Sequence, residues 1–128
     1  MPNWSAISLP AAPAPRGPYS PAVRAGGFVY VSGQTPRDPL TGELVGTDIA
    51  MQTRQTLLNV KSLLEAAGAR LSDVVSVSVY LQHVDDWAAM NGVYKDFFVT
   101  PFPSRTAVGA DLRDILVEIS AVAYIGSS

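Results

Sequence analysis

The chain has no cysteine and only one histidine among its 128 residues. The absence of cysteine excludes disulfide bonds, thiolate nucleophiles and sulfur ligands for a metal ion. With a single histidine, a zinc site would have to be built from carboxylates, and the sequence has no evident cluster of them. We therefore expect no metal site and no cofactor. His83 follows a strand-like run and precedes a helix start, which predicts a surface loop rather than a catalytic base.

The sequence also has little net charge, no run of basic residues and no long apolar stretch. Nine Lys and Arg residues against eleven Asp and Glu residues give a net charge of −2, with no basic run, which argues against a nucleic-acid partner. The apolar stretches are too short to span a membrane. The N-terminal stretch MPNWSAISLPAAPAP lacks the charged segment and continuous apolar core of a signal peptide. These features predict a soluble cytoplasmic protein that binds neither nucleic acid nor membrane.

The rest of the composition is that of one globular domain, with 48% hydrophobic residues. Residues 1–16 carry four prolines and show no hydrophobic period, which predicts a flexible N-terminal leader. Residues 17–128 are expected to form the single domain.

Within that domain the hydrophobic period changes several times. Residues 48–68 keep a helical spacing, with Asp48 as the expected N-cap and Gly68 just beyond the C-terminus. Asp85 is the expected cap of a second helix that extends to Phe98 and is stopped by the prolines that follow. Strands are predicted at residues 26–33, 74–81, 104–109 and 115–124.

This order favours an α+β fold in which two helices pack on one face of a mixed sheet. The last predicted strand, LVEISAVAY, is apolar on both faces. Two helices can cover only one face, so the other face would leave an apolar patch that monomers rarely tolerate. We therefore expect the protein to oligomerise through its sheet.

Charged residues make up only 16% of the chain, yet two of them lie within predicted strands. Arg105 stands at the head of one strand and Glu118 lies inside the next. A planar guanidinium can bind a carboxylate through two parallel hydrogen bonds. A nearby carboxylate can orient or deprotonate a water molecule. Either both residues have structural roles, Arg105 as an ion-pair partner and Glu118 as a solvated or interface carboxylate, or they act on a molecule that binds between them.

Several motifs resemble the Rid family of reactive intermediate deaminases, also called the YjgF-like family. They are, in chain order, GPYSPAVRAGGFVYVSGQTPRDPLTGELVG, QTRQTLLNVKSLLEAAG, NGVYKDFF, PSRTAVGA and VEISAVA. The resemblance runs from Gly17 to Tyr124. It implies a chorismate-mutase-like domain that assembles as a homotrimer around a central barrel, with ligand sites in the clefts between subunits.

The resemblance also implies hydrolysis of reactive enamines and imines, such as 2-aminoacrylate and other 2-imino acids, to 2-keto acids and ammonia. It assigns Arg105 to the substrate carboxylate and Glu118 to the attacking water. The chain departs from the family pattern at Leu112-Arg113, in a turn about two residues shorter than the Leu-Pro turn of the archetype. It also has Ser120 where a second glutamate is frequent.

Five further positions match the pocket lining of the family: Tyr19, Ser32, Gly33, Asn91 and Ala107. Ala107 would contribute its backbone N–H, at a position where the archetype often has cysteine. Each has a structural alternative. Tyr19 could serve packing, Ser32 and Asn91 could be turn or cap residues, and Gly33 could be required for its conformation.

Three other functions remain open. The first is a pathway-specific relative such as a 2-aminomuconate deaminase, which a wider pocket would favour. The second is a regulatory trimer that binds 2-keto acids without turnover, which Glu118 speaks against because an anion site gains nothing from a carboxylate. The third is nucleic-acid action, as a ribonuclease or translation inhibitor, which the acidic balance disfavours. Chaperone-like behaviour is neither supported nor excluded.

Overall fold

The computed structural model of the protein describes residues 3–9 and 14–126. It contains six strands and two α-helices, which in chain order are β1 (Trp4–Ile7), β2 (Ala22–Ala25), β3 (Phe28–Gln34), α1 (Ile49–Ala66), β4 (Val74–Leu81), α2 (Trp87–Tyr94), β5 (Ser104–Gly109) and β6 (Val117–Tyr124). The strands form one mixed sheet in the order β1-β2-β3-β6-β4-β5, in which only β4 and β5 pair in parallel. The predicted α+β class and the single layer of two helices are confirmed.

The core lies between the helices and one face of the sheet. Alternate residues of β6 are buried on this face, and α1 contributes an apolar stripe that packs against them. The fully buried side chains of this layer include Val29, Leu57, Leu64, Val79, Val117 and Ile119.

Helix α1 begins and ends as the sequence predicts. The side chain of Asp48 accepts a hydrogen bond from the backbone N–H of Met51 at 2.8 Å, which satisfies one of the free donors of the first turn. Gly68, just past the helix, has a φ of 87°, a left-handed conformation that glycine adopts without steric cost.

Two amide side chains on the buried face of α1 hold the loop between β3 and α1. The Asn59 Nδ2 donates to the carbonyl oxygens of Thr35 and Arg37 at 3.0 and 2.9 Å. The Gln52 Nε2 donates to the carbonyl oxygen of Gly46 at 3.1 Å, while its Oε1 accepts from the N–H of Leu116 at 2.8 Å. Both amides are buried, and they supply the hydrogen bonds that a loop outside the sheet cannot obtain from strand pairing.

Some predicted boundaries need correction. Strand β1 lies within the predicted flexible leader, so that prediction is wrong for Trp4–Ile7, which pairs with β2 through its backbone although its side chains are mostly exposed. Strand β2 was not predicted either. Of the other leader residues, 1–2 and 10–13 lie outside the described part.

The second helix is shorter than predicted. A 3₁₀ turn at Val84–Asp86 precedes it, and Asp86 rather than Asp85 occupies the N-cap, without a side-chain hydrogen bond. The helix ends at Tyr94, so Phe98 lies in the following turn, where it is still buried against the core. His83 is exposed in the loop before this turn, as predicted.

The opposite face of the sheet carries exposed aromatic side chains. Phe28 packs against Tyr124 with ring centroids 5.0 Å apart and against Tyr30 at 6.3 Å, and all three rings are at least 40% exposed. No described element covers this face. In the described part of the chain, no helix is long and apolar enough to cross a membrane.

We predict that replacing Gln52 by leucine destabilises the protein. The substitution leaves the N–H of Leu116 and the carbonyl oxygen of Gly46 without their partners, which costs about 1–3 kcal/mol. Chemical denaturation at matched protein concentration measures the free energy of unfolding. Ser62→Ala, at an exposed position of the same helix, is the control and should change it by less than about 0.5 kcal/mol. Equal stability of Gln52→Leu and wild type would contradict the assigned role.

Candidate active site

Arg105 is held on the helix-covered face of the sheet by three side chains of α2. Its Nη1 donates to the Oδ1 of Asn91 at 2.7 Å. The guanidinium carbon lies 4.7 Å from the ring centroid of Tyr94 and 5.6 Å from that of Trp87. Stacking on aromatic faces and one hydrogen bond fix the orientation of the guanidinium plane while leaving other N–H donors free. We call these four residues the arginine cluster.

No carboxylate neutralises the arginine cluster. The ion pairs within the described residues are Arg37 with Asp114 and Arg54 with Asp96, so Arg105 takes part in none. Burial raises the pKa of the Tyr94 hydroxyl, and the positive charge of Arg105 acts in the opposite direction. The structure therefore speaks against the ion-pair alternative for Arg105 within one chain, because no acidic partner is present there.

Arg105 borders a cleft of about 410 Å³ that is lined by Asn91, Tyr94, Lys95, Phe102, Pro103 and Arg105. Its lining combines two cations, one amide and apolar surface, and contains no acidic residue. An oriented, half-buried guanidinium at the edge of such a cleft is suited to binding an anion.

Glu118 lies on the other face of the sheet, beside Gly33. A Cβ atom added to Gly33 would lie 2.5 Å from the Glu118 Oε2 and 2.9 Å from its carboxyl carbon, so the glutamate lies directly over the glycine backbone. Burial raises the pKa of the Glu118 carboxyl group. Within the described residues it has no ion-pair partner. A half-buried carboxylate with a raised pKa and no cation beside it is a candidate proton acceptor.

Tyr19 and Ser32 belong to the same side of the site as Glu118. The Ser32 Oγ donates to the carbonyl oxygen of Ser20 at 2.7 Å, and the Ser32 N–H donates to that of Pro21 at 2.9 Å. These bonds fix the segment that carries Tyr19, whose ring is half exposed in a small cleft that it lines together with Gly33. We call Tyr19, Ser32, Gly33 and Glu118 the glutamate cluster.

The two clusters lie on opposite faces of the sheet within one chain. Arg105 pairs in register with Val77, and Val77 pairs with Ala121; both partners are buried under the helices. Glu118 pairs with Tyr80 and lies one position away from the buried Ile119. Since paired residues on neighbouring strands point to the same face, Arg105 and Glu118 point to different faces.

The structure therefore divides the predicted site residues. Asn91 contacts Arg105, and Ala107 follows it two positions later on the same face of β5, an edge strand that pairs only with β4. On the other side Glu118 lies against Gly33, and Gly33 lines a cleft together with Tyr19. A single chain does not bring the two sets together.

Trp87 and Tyr94 fit the apolar spacing of the predicted second helix, and their contact with Arg105 is an addition to the predicted site residues. Trp87 precedes Asn91 by four residues and Tyr94 follows it by three, a spacing that puts them on the same side of a helix. This spacing is the feature of the sequence from which the grouping of Trp87 and Tyr94 with Asn91 could have been predicted. Among the described residues, no group of three or more His, Asp or Glu side chains is arranged to hold a metal ion.

The family model described as Endoribonuclease L-PSP matches residues 9–125, nearly the whole chain. The chain belongs to this family, the Rid family. It is 51% identical over 115 residues to a RutC family protein of Pyrococcus horikoshii, covering 88% of this chain and 91% of that one. It is 44% identical over 121 residues to a 2-iminobutanoate/2-iminopropanoate deaminase of Dermatophagoides farinae, covering 93% of this chain and 94% of that one.

Among solved structures, RidA from an Antarctic Psychrobacter species superposes with a TM-score of 0.89 at 40% identity, covering 94% of this chain and 99% of that one. The Rid relatives thus confirm the family predicted from the motifs. Their names differ in content: one names an imine deaminase, whereas the name of the archaeal relative states no activity.

We predict that Gly33 is required because the carboxylate of Glu118 occupies the space above it. The three atoms nearest an added Cβ all belong to the Glu118 side chain beyond its own Cβ. Gly33→Ala should therefore cost about 1–3 kcal/mol in the wild-type background. In a Glu118→Ala background, where those atoms are absent, the same substitution should cost close to nothing.

Denaturation of the four proteins of this double-mutant cycle, at matched concentration, measures the coupling. The control is Gly92→Ala in α2, where an added Cβ meets nothing within 4 Å and alanine favours the helix by up to about 1 kcal/mol. If the changes in the free energy of unfolding caused by Gly33→Ala and Glu118→Ala were additive, the contact with Glu118 would not be the reason for a glycine at position 33.

Proposed function

We propose that this Rid protein hydrolyses 2-imino acids and their enamine tautomers, including 2-aminoacrylate, to 2-keto acids and ammonia. The observation that carries the proposal is the oriented, uncompensated guanidinium of Arg105, which matches the carboxylate that every substrate of this class has beside its C=N carbon. The names of relatives such as the Dermatophagoides deaminase support it.

In the proposed reaction Arg105 binds the substrate carboxylate and thereby fixes the position of the imine carbon. Glu118 accepts a proton from a water molecule whose oxygen adds to that carbon, and passes this proton to the imine nitrogen, which becomes the amine of a carbinolamine. Glu118 then takes the proton of the carbinolamine hydroxyl and transfers it to the amine nitrogen; the C–N bond breaks, the hydroxyl oxygen becomes the keto oxygen, and ammonia leaves. A raised pKa makes the glutamate a stronger base than an ordinary carboxylate. Because imines are already electrophilic, positioning and one base supply most of the required catalysis.

The proposed site is shared between copies of the chain. Arg105 and Glu118 point to opposite faces of one sheet, so a site that uses both must take them from different subunits. The exposed rings of Phe28, Tyr30 and Tyr124 give an apolar surface for association. We propose the homotrimer of the Rid fold, with its sheets around a central barrel and the substrate in the cleft between neighbouring subunits.

A regulatory trimer that only binds 2-keto acids would use the arginine cluster in the same way. It would have no use for the glutamate cluster, in which Gly33 leaves room for a partly buried, unpaired carboxylate beside the ligand. Catalysis is therefore the function that accounts for both clusters.

We predict that Arg105→Ala removes the activity. An L-amino-acid oxidase generates 2-imino acids from amino acids with side chains of different size, and semicarbazide traps the imine that survives. Wild type should suppress the trapped product. Arg105→Ala should lower kcat/KM by at least about 100-fold, because it removes charge-assisted hydrogen bonds to the substrate carboxylate. Arg54→Ala, which removes an exposed arginine elsewhere, should behave as wild type. If wild type leaves trapping unchanged for every imine tested, the proposal is wrong.

The shared site predicts that two inactive variants restore each other. Arg105→Ala and Glu118→Gln each lack one half of every site, but a mixed assembly contains sites with both halves intact. Random mixing in equal amounts should give about a quarter of the wild-type sites, since each site draws its two halves independently. Co-expression with two affinity tags and the trapping assay measure the recovery.

The same pair on one chain, Arg105→Ala/Glu118→Gln co-expressed with itself, controls for residual activity. Absence of recovery in verified mixed assemblies would place Arg105 and Glu118 in one subunit's site and contradict the shared arrangement.

A further inference from the structure

Lys95 extends the arginine cluster by one helical turn. Trp87 and Asn91 stand four residues apart on α2, and both contact Arg105. Lys95 follows Asn91 by another four residues at the C-terminal end of the helix and lines the same cleft as Arg105. Residues at this spacing lie along one side of a helix, about 5–6 Å apart. The cleft thus carries a second cation, on a residue that stands about one helical turn from Asn91, the partner of Arg105.

Neither cation is neutralised by another described residue of the chain. Among the described residues Lys95 has no ion-pair partner, and the lining of the cleft includes no Asp or Glu. Two like charges along one small cleft repel each other unless a bound anion compensates them. A ligand with a single carboxylate compensates Arg105 alone, whereas a ligand with two carboxylates compensates both.

The cleft that the two cations share also has apolar surface. Phe102, which is 58% exposed, and Pro103 line the same cleft, so methylene groups of a ligand can lie against them. Four C–C bonds of about 1.5 Å in an extended chain separate the terminal carboxyl carbons of a five-carbon dicarboxylic acid by roughly 5 Å. This length is close to one helical turn.

We propose that Lys95 is a specificity-determining residue and that the preferred substrates are 2-imino acids with a second carboxylate, of the size of 2-iminoglutarate. The inference rests on the proposed function for the reaction at the C=N carbon. It adds the class of side chain that the substrate carries, with Arg105 on the carboxylate beside the imine and Lys95 on the distal one.

A lysine at a helix C-terminus also interacts favourably with the helix dipole. That role affects stability and does not distinguish between ligands. Selectivity is therefore the readout that separates the two roles.

The test compares two imines in the trapping assay. An L-glutamate oxidase generates 2-iminoglutarate, and an L-amino-acid oxidase generates 2-iminobutanoate from 2-aminobutanoate. Wild type should have a higher kcat/KM for 2-iminoglutarate. Lys95→Met should lower that value by about 5- to 10-fold and change the value for 2-iminobutanoate by less than about 2-fold, and Lys95→Glu should lower the value for 2-iminoglutarate further. Lys61→Glu, the same charge change at an exposed position of α1, controls for the overall field of the protein.

A binding measurement separates this inference from the proposed function. Calorimetric titration with 2-oxoglutarate and 2-oxobutanoate reports selectivity without turnover, and Lys95→Met should weaken only the binding of 2-oxoglutarate. If no imine is hydrolysed but this binding pattern is found, the hydrolase proposal fails and the inference stands. Equal affinity for both keto acids, a preference for the shorter one, or a preference that Lys95→Met leaves unchanged would overturn the inference, as would a loss of stability in Lys95→Met without a change in selectivity.

Discussion

The alternation of side chains along the central strands governs the rest of this molecule. On β6, the residues at odd positions from Val117 to Ala123 are buried under the helices, which forces Glu118 to the other face. On β5, the register with β4 directs Arg105 to the helix side, where α2 meets it. A shift of Arg105 or Glu118 by one position along its strand would turn its side chain to the other face of the sheet. The division of the site into two clusters is thus a consequence of how the core is built.

Each cluster is supported by groups that do not react. The guanidinium of Arg105 is oriented by two rings and one amide, and the carboxylate of Glu118 has its space because position 33 lacks a side chain. Buried amides on α1, Gln52 and Asn59, fix the loop that follows β3 and the residue that precedes β6. A precise site therefore depends on contacts that extend well into the domain.

Strong local patterns made much of this predictable from the sequence. The period of α1, its cap at Asp48 and the alternation of 74–81 gave these elements correctly, since each reflects burial on one side. Strand β1 carries little such signal because its side chains are mostly exposed and its order comes from backbone pairing with β2. The alternation of β4 would put Val75 on the buried face with Val77, but a shift in register between Val74 and Ser76 leaves it exposed. The separation of Arg105 from Glu118 required the pairing register, which short-range patterns do not contain.

The turn between β5 and β6 bears on how such proteins can diverge. Arg113 there adopts a φ of 68°, Asp111, Arg113 and Asp114 are exposed, and the strands on either side pair with β4. Residues can be gained or lost at this point without altering which way Arg105 or Glu118 points. The number of residues between Arg105 and Glu118 can therefore change, whereas each of the two must keep its odd or even position within its strand. Chains that descend from this one can keep both side chains on their respective faces of the sheet with a different number of residues between them, provided that each keeps its odd or even position.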